Sequence, residues 1–301
     1  MTGIAAIVPP VTIGFVGLGK MGLPMARRLV TAGFTVQGFD PVTEARAAFA
    51  ASGGMACETA AEAGAGAAAV ITMLPDGDVV RAVMLSGDAP VAAAMRPGTV
   101  LIEMSSSAPL ATRSLGERLE AAGLAIVDAP VSGGVKKAVA GTLSIMVGGA
   151  TEAIVRVPAI LAAMGSAVFE TGGLGSAHAM KALNNYVSAA GLIAACEAVR
   201  IGAAFGLDPA VMTDILNVST GRNNTTENKL KAFILNEAYD SGFGLALMIK
   251  DIGIAADLAT ALDRPAPFSQ EVAAFARRAL ADLGPGADHT EVDRYIGRLK
   301  P

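Results

Sequence analysis

The stretch Ile13-Gly14-Phe15-Val16-Gly17-Leu18-Gly19-Lys20-Met21-Gly22 decides the fold of the first half of the chain. Its apolar start predicts a buried strand, and the glycines that follow, spaced Gly-x-Gly-x-x-Gly, open a helix. The first two glycines would allow a tight turn and close approach of a pyrophosphate, and the third would let the helix pack on the strand. A plain glycine-rich turn is the alternative, but the flanking strand and helix favour a dinucleotide site, with Gly17, Leu18, Gly19, Lys20, Met21 and Gly22 as cofactor-binding candidates.

The type of dinucleotide is indicated by Asp40, which ends the second predicted strand about twenty residues further on. A carboxylate there accepts hydrogen bonds from the adenosine ribose and repels a 2′-phosphate, so we expect NAD to be preferred over NADP. Arg46, the nearest later cation, is expected on the solvent face of the next helix and tempers this preference only weakly. Asp40 could also form a turn before Pro41, and the two roles are compatible.

Composition narrows the class of protein. The 301-residue chain has a net charge of −4 and no basic run that would provide a nucleic-acid surface. Its length favours two domains. Apolar runs are expected to be broken by charges before they reach a membrane span. We therefore expect a soluble protein that acts on a small molecule, with no nucleic-acid or membrane partner.

The N-terminus and the cysteines add two further expectations. Residues 1–10 lack the features of a signal peptide and are interpreted as a short frayed leader of a cytoplasmic protein. Cys57 and Cys196 fit no metal-ligand spacing, and only His178 and His289 are available as histidine ligands, so no metal site is expected. Gly-x-Ser-x-Gly does not occur, which disfavours a serine hydrolase.

From Val11 to about Glu170, short β-branched runs alternate with helical stretches, a pattern typical of a parallel sheet with crossover helices. Predicted strands cover 13–16, 35–39, 69–73, 100–103, 125–128, 143–147 and 167–169. Helical periodicity then covers 176–205, 209–216, 245–261 and 267–283. We predict an α/β chain in which a mostly parallel sheet domain, residues 11–174, is joined by a long interdomain helix to an all-α domain, residues 175–301.

The stretch from Gly172 to Asn185 sets a lysine just after a glycine cluster. Lys181 and Asn185 are four residues apart and would share one helix face. With so few histidines in the chain, a lysine beside an amide is the leading candidate for proton transfer. His178 could border the same pocket, although one histidine near a helix start is more often structural.

A second glycine site lies at Asp128-Ala129-Pro130-Val131-Ser132-Gly133-Gly134, after another predicted strand. Ser132, Gly133 and Gly134 would present a hydroxyl and backbone N–H groups that suit a carboxylate. Ligands of open α/β sheets bind at the carboxyl ends of strands, so this site and the nucleotide loop can face one crevice. A glycine turn between two strands would explain the spacing equally well.

Together these motifs resemble the β-hydroxyacid dehydrogenase family, in its 3-hydroxyisobutyrate dehydrogenase-like group. The likeness covers nearly the whole chain from Val11 and consists of residues 17–26, 72–75 and 128–134, Lys181 with Asn185, and Lys250-Asp251. It implies a Rossmann-type N-terminal domain, an all-helical C-terminal domain, a homodimer or homotetramer, and NAD(P)-dependent oxidation of a 3-hydroxy acid or reduction of the matching semialdehyde.

The resemblance also implies residue roles. Lys181 would be the catalytic acid/base, Asn185 would orient the substrate, and residues 132–134 would hold its carboxylate. Further cofactor contacts are implied for Leu74, Pro75, Ser105 or Ser106, and Lys250, which would close the cofactor site from the helical domain. A lysine of ordinary pKa, about 10.4, is protonated at neutral pH, but a positive nicotinamide and a partly dry crevice would favour its neutral form.

Other functions remain open at this point. The polar run 219–226 differs from the version typical of 3-hydroxyisobutyrate enzymes. It indicates either a polar pocket, as for tartronate semialdehyde, or simply a hydrophilic loop. A non-catalytic dinucleotide-binding module is disfavoured because both Lys181 and Asn185 are present. An imine reductase is disfavoured because related imine-reducing proteins replace the lysine. The related 6-phosphogluconate dehydrogenases are much longer.

Overall fold

The computed structural model describes residues 5–300. The chain divides into two compact units, Met1–Lys181 and Ala182–Pro301. The division falls seven residues after the expected boundary between residues 174 and 175, because the helix that begins at Ser176 makes its first contacts within the first unit. The domain limits themselves stay a prediction.

Within the described residues, strands and helices alternate along the first unit. Its strands are β1 (Thr12–Val16), β2 (Thr35–Phe39), β3 (Met55–Ala56), β4 (Ala69–Thr72), β5 (Val100–Glu103), β6 (Ala125–Asp128), β7 (Val131–Ser132), β8 (Leu143–Gly149) and β9 (Gly165–Gly172). Its helices are α1 (Gly22–Thr31), α2 (Thr43–Ala50), α3 (Ala60–Gly64), α4 (Gly77–Leu85), α5 (Val91–Ala94), α6 (Pro109–Glu120), α7 (Gly134–Ala140), α8 (Thr151–Ile154) and α9 (Pro158–Met164), and α10 (Ser176–Phe205) begins here.

The nine strands form one sheet in the order β3-β2-β1-β4-β5-β6-β8-β7, with β9 beside β8. Pairing is parallel from β3 to β6, and β8 runs antiparallel to β6 and β7. The predicted Rossmann-type, mostly parallel sheet is confirmed.

Alternate residues of the central strands pack into two different apolar clusters, one on each face of the sheet. Phe15, Ile71 and Ile102 belong to one cluster, whereas their neighbours Val16 and Val70 belong to the other. Strands that are covered on both faces need nearly continuous apolar runs, which is why these segments read as buried strands in the sequence. Full burial of a side chain such as Phe15 contributes about 1.5–3 kcal/mol.

Among its described residues, the second unit contains helices and helical turns but no strand. After the main length of α10 it contains α11 (Pro209–Asn217), α12 (Asn224–Asn228), a π-helical turn (Leu230–Ile234), α13 (Leu245–Ala261), α14 (Pro267–Leu283), a 3-10 turn (His289–Glu291) and α15 (Val292–Arg298). Its core includes Leu192, Cys196, Ile252 and Ala276. This confirms the predicted helical C-terminal region.

By length and composition alone, α10 is long and apolar enough to cross a membrane. The expectation that every apolar run is broken by charges before that length is therefore wrong for this helix. Core helices of soluble proteins pass the same test, and Leu192 and Cys196 of α10 are fully buried in the core of the second unit.

The leader expected over residues 1–10 is described only from residue 5, and residues 1–4 lie outside the described part of the chain. Ile7 is buried in the core, and its N–H donates to the carbonyl of Arg156 at 2.7 Å. This part of the leader is attached to the first unit rather than frayed, because an apolar side chain anchors it.

Candidate functional site

Five parallel strands end at the same edge of the sheet. Val16 is in register with Phe39 and Thr72, Thr72 with Glu103, and Glu103 with Asp128. These are the last residues of β1, β2, β4, β5 and β6. In the sheet, β2 lies on one side of β1 and β4 on the other, so the direction of the strand order reverses at β1. This edge is therefore the topological switch point, where open α/β sheets bind ligands.

The loop after β1 requires its glycines. Gly17 has φ +101°, and a Cβ there would collide with the carbonyl of Met73. A Cβ on Gly22 would collide with the carbonyl of Gly17, so α1 can start this close to the strand only with glycine. A Cβ on Gly19 would meet no protein atom within 4 Å. Bare backbone at that position fits the close approach of a dinucleotide pyrophosphate.

Asp40 is 8% exposed and braces this loop. Its Oδ2 accepts the N–H of Leu18 at 2.8 Å, and its Oδ1 accepts the N–H of Val42 at 2.9 Å. The bond to Val42 is the expected turn role. Each carboxylate oxygen retains a lone pair, so the brace leaves Asp40 able to accept from ribose hydroxyls. Of the remaining loop residues, Lys20 is exposed and Met21 is half-buried.

Arg46 does not face solvent, contrary to expectation. Its side chain is 15% exposed, and its Nη1 donates to the carbonyl of Asp40 at 2.9 Å. Its guanidinium also pairs with Glu58 at 3.2 Å and lies 6.0 Å from the ring centroid of Phe39. The Arg46 guanidinium therefore contacts the backbone of Asp40, the residue that was expected to set the preference for NAD over NADP.

The loops after β4 and β5 are tied together. The N–H of Leu74 donates to Oγ of Ser105 at 3.0 Å, and Ser105 is buried. Leu74 and Ser106 are half-buried, and Pro75 is exposed. Because Ser105 is buried and Ser106 only half-buried, Ser106 is the more accessible of the two serines considered for cofactor contact.

Lys181 reaches the segment that follows β6. Its Nζ donates to the carbonyl of Val131 at 2.8 Å, and Val131 lies in β7 directly before Ser132. Ser132 is half-buried and pairs with Ser144 of β8. Within the first unit, the structure thus brings the predicted proton carrier next to the predicted carboxylate segment.

The two glycines after Ser132 have backbone conformations that favour glycine. Gly133 has φ +131°, and a Cβ there would meet the side chain of Lys137. Gly134 has φ +67° and no protein atom within 4 Å of a Cβ. The backbone at this position is therefore open on the side where a side chain would stand.

A buried charged network lies beneath these loops. His178 Nε2 is 2.8 Å from Glu103 Oε2, and its Nδ1 is 3.7 Å from Asp128 Oδ2. Burial opposes both charges of the first pair. The attraction to His178 nevertheless holds the pKa of Glu103 below its ordinary value, and the attraction to Glu103 holds the pKa of His178 above its ordinary value.

Sequence reasoning gave no role to Glu103 or Asp128. The available signal was that each carboxylate ends an otherwise apolar strand, Val100–Glu103 and Ala125–Asp128. Charged groups are rarely fully buried unless they are paired. A carboxylate at the end of a buried strand therefore calls for a partner, which His178 provides.

In the second unit, Asp251 connects the two residues predicted there. The amide Nδ2 of Asn185 donates to Asp251 Oδ2 at 2.6 Å, and the amide Oδ1 accepts from Asn184 at 3.1 Å. Lys250 Nζ is 4.0 Å from the other oxygen of Asp251. The orientation of the Asn185 amide is thereby fixed. Asp251 was part of the recognised motif, but no role was predicted for it.

The polar run 219–226 is used largely for local structure. Asn223 caps α12 by accepting from the N–H groups of Thr225 and Thr226, and its own N–H donates to the Thr226 hydroxyl at 2.9 Å. Arg222 is 3.6 Å from Glu227. These contacts favour the hydrophilic-loop interpretation for Asn223 and Thr226.

Among the described residues, no group of three or more His, Cys, Asp or Glu side chains could hold a metal ion. Both cysteines are free and buried. Burial raises the pKa of Cys196 to about 12, so this thiol is unreactive at neutral pH.

Two family models match the chain. The model for the NAD-binding domain of 6-phosphogluconate dehydrogenase matches residues 12–173, and the model described as NAD-binding of NADP-dependent 3-hydroxyisobutyrate dehydrogenase matches residues 175–296.

Individual relatives match over most of their length. The chain is 36% identical to 2-(hydroxymethyl)glutarate dehydrogenase of Eubacterium barkeri, over 86% of each chain. It is 38% identical to NAD-dependent L-serine dehydrogenase of Pseudomonas aeruginosa, over 83% of this chain and 85% of the relative. A solved structure of 3-hydroxyisobutyrate dehydrogenase of Mycobacterium tuberculosis with L-serine is similar with a TM-score of 0.89 and 36% identity, covering 96% of this chain and 100% of that one.

Proposed function

Because the chain belongs to the β-hydroxyacid dehydrogenase family and is an NAD(P)-dependent 3-hydroxyacid dehydrogenase, we propose that it oxidises the 3-hydroxyl of a small 2-substituted 3-hydroxypropanoate, or reduces the matching semialdehyde. In this proposal Lys181 is the general acid/base, Asn185 orients the substrate, and residues 132–134 hold its carboxylate. The observation that carries it is the 2.8 Å bond from Lys181 Nζ to the carbonyl of Val131, next to Ser132.

The substrate class follows from what the named substrates of the relatives have in common. 3-Hydroxyisobutyrate, L-serine and 2-(hydroxymethyl)glutarate each carry a carboxylate and a CH₂OH group on one carbon. They differ only in the remaining substituent, which is methyl, ammonium or carboxyethyl. A hydroxyl at that position, as in the reduced form of tartronate semialdehyde, belongs to the same class and is one arm of the substrate test.

Lys181 would move the proton. The nicotinamide cofactor supplies the hydride acceptor or donor when it is bound. A neutral lysine amine has two N–H donors and one lone pair, so it can keep its bond to the Val131 carbonyl and use the lone pair to take the substrate hydroxyl proton. In the reverse direction the ammonium returns a proton to the aldehyde oxygen.

Asn185 would contribute direction rather than charge. Its Oδ1 accepts from Asn184, and one N–H of its amide donates to Asp251. The second N–H remains for a substrate oxygen. An amide held at both ends loses little rotamer freedom on binding, which favours one substrate orientation.

For the cofactor we propose that Gly17 to Gly22 hold the pyrophosphate and that Asp40 accepts from the ribose, with NAD preferred over NADP. Leu74, Pro75, Ser106 and Lys250 are proposed as further contacts. The brace from Asp40 to Leu18 supports the preference, because it presents the carboxylate at the loop that would carry the nucleotide.

We also propose that copies of the chain associate through the second unit. Phe205, at the end of α10, is 85% exposed, and Val218, just after α11, is 86% exposed. Ile201, four residues before Phe205, and Ile215, three residues before Val218, are also exposed. Monomeric proteins rarely leave large apolar patches exposed. Light scattering should give the mass of a dimer or tetramer, and Phe205→Ser should lower it.

The central test is Lys181→Ala. We expect turnover to fall by on the order of 10²–10⁴-fold, the typical contribution of a general acid/base, while NADH binding by fluorescence titration stays nearly unchanged. Lys231→Ala, which removes an exposed lysine paired with Asp214 in the second unit, is the control and should keep full activity. Wild-type turnover of Lys181→Ala on a panel of hydroxy acids and semialdehydes would refute the role of the lysine. Binding of NADH by the wild type without turnover of any compound on the panel would refute the proposed substrate class.

A further inference from the structure

His178 is a fully buried histidine that the reaction as described does not use. It lies in the first turn of α10, three residues before Lys181. Its Nε2 is 2.8 Å from Glu103 Oε2 at the end of β5 and 3.0 Å from the carbonyl of Ser105. Its Nδ1 is 2.8 Å from the hydroxyl of Thr112 in α6. One imidazole therefore touches two elements besides its own helix.

The hydrogen-bond directions indicate that both ring nitrogens donate. The Thr112 hydroxyl is 3.2 Å from the carbonyl of Ala108, to which it can only donate, so it accepts from His178 Nδ1. Nε2 faces only acceptors, the Glu103 carboxylate and the Ser105 carbonyl. Burial disfavours an imidazolium, but Glu103, and then Asp128, outweigh it and raise the pKa of His178.

The backbone of the same turn is held by the neighbouring strand. Asp128 Oδ1 accepts the N–H of Gly175 and Oδ2 accepts the N–H of His178, both at 2.8 Å. N–H groups at a helix start lack partners within the helix, and a carboxylate there is favourable. The start of α10 is thus fixed to the ends of both β5 and β6.

We propose that His178 is a positioning residue, which holds the first turn of α10, and with it Lys181, in register with the strand ends that carry the cofactor-side loops. The link to those loops is direct. Ser105, whose carbonyl contacts His178, also accepts the N–H of Leu74 through its hydroxyl. The inference rests on the proposed role of Lys181.

Two conservative variants distinguish the contacts of the His178 Nε2 from those of its Nδ1. His178→Gln can keep a donor near the position of Nε2, toward Glu103, and His178→Asn can keep one near Nδ1, toward Thr112. Because misplacing a catalytic group by about 1 Å can cost on the order of 100-fold, we expect kcat of His178→Asn to fall by about 10–100-fold, with KM and NADH affinity nearly unchanged. His178→Gln should keep more activity, because it retains the contact to the cofactor side.

Two readouts distinguish positioning from stability. The primary deuterium isotope effect, measured with substrate deuterated at C3, should rise in His178→Asn, because a misplaced base makes the chemical step more rate-limiting. Independently of activity, hydrogen exchange of the backbone amides in the first turn of α10 should become faster. Activity is expressed per NADH-binding site, so that partial unfolding does not count as lost catalysis.

The matched control is His289→Gln. His289 is also buried, and its Nδ1 contacts Ser241 and the carbonyl of Phe243, all in the second unit. This variant should lose thermal stability but keep the wild-type isotope effect and kcat per NADH site. If the His178 variants do not fold, Thr112→Val leaves the imidazole in place. It removes the hydroxyl that contacts Nδ1, together with the bond of that hydroxyl to the Ala108 carbonyl, and should still lower kcat at unchanged KM.

The outcomes separate this inference from the proposed function. Wild-type kcat and isotope effect in both His178 variants, or in Thr112→Val where those do not fold, would overturn the positioning role even if Lys181→Ala is inactive. Full turnover of Lys181→Ala would overturn the proposed function and the positioning role with it. Reduced kcat with a raised isotope effect, in a background where Lys181→Ala is inactive, supports both.

Discussion

Replacement of Asp40 by alanine is the sharpest test of the cofactor preference, because the structure gives the carboxylate two separable tasks. It braces the glycine loop through the N–H groups of Leu18 and Val42, and it is placed to accept from ribose hydroxyls. Loss of the brace should weaken NADH and NADPH alike. Loss of the ribose contact should weaken the binding of NADH. Loss of the repulsion between the carboxylate and the 2′-phosphate should strengthen the binding of NADPH.

The change in the ratio of the Kd values for NADH and NADPH can be estimated from the ribose contact alone. A hydrogen bond to a charged group contributes about 1.5–3 kcal/mol. At about 1.4 kcal/mol for each factor of ten, Asp40→Ala should raise the Kd for NADH relative to that for NADPH by on the order of 10–100-fold. Arg46, whose guanidinium contacts the Asp40 carbonyl, should add to the shift by attracting the 2′-phosphate.

The assay is fluorescence titration of wild type and variants with NADH and NADPH. Asp208→Ala is the control, because Asp208 also holds two backbone N–H groups, of Ala210 at 2.8 Å and Val211 at 2.9 Å, but lies in the second unit. It should lower stability and leave the affinity ratio unchanged. Equal weakening of NADH and NADPH in Asp40→Ala would refute the preference and leave Asp40 only its role as a brace.

Three further predictions follow from single contacts. Asp251→Ala frees the Asn185 amide and should lower kcat/KM by about 10–100-fold. Asp251→Asn keeps an acceptor and should lower kcat/KM less. Equal losses of kcat/KM in steady-state assays would contradict the orienting role. Gly22→Ala should lower the free energy of unfolding in urea by about 1–3 kcal/mol or more because of the backbone clash, whereas Gly19→Ala should weaken NADH binding at unchanged stability. Burial lowers the pKa of Lys229 from its ordinary 10.5 to about 8, so the unfolded chain binds more protons between these values and stability rises with pH there. Lys229→Met should lack that rise, and parallel pH profiles of the two proteins would contradict it.

The secondary structure was largely predictable because most elements are long enough to show a period. The ends of β2, β5, β6, α10 and α13 coincide with the sequence-based limits. The strands β3 and β7 were not predicted, since two residues carry no periodicity. The π-helical turn after α12 was missed as well, because its apolar pattern does not differ from that of an ordinary helix.

The site was predictable where its chemistry is local in sequence. The glycine loop is recognisable within ten residues, and the spacing of Lys181 and Asn185 within five. The partner of Lys181 was not, because Val131 lies 50 positions away, and the contacts of His178 to Thr112 and Ser105 span 66 and 73. Arg46 was misplaced for a different reason. Helical periodicity locates its Cα, but a long side chain can lie back along the protein surface.

The buried network also explains why a histidine is needed at this position. Glu103 and Asp128 are register partners on adjacent parallel strands, so two carboxylates come together in a region without solvent. Removing one partner of a buried ion pair typically costs about 3–5 kcal/mol, because the remaining charge is left uncompensated. His178 lies within 2.8 Å of Glu103 and 3.7 Å of Asp128, and its backbone N–H donates to Asp128. The same contacts that stabilise the strand ends therefore fix the helix turn before Lys181, so stability and catalysis at this position must be measured separately.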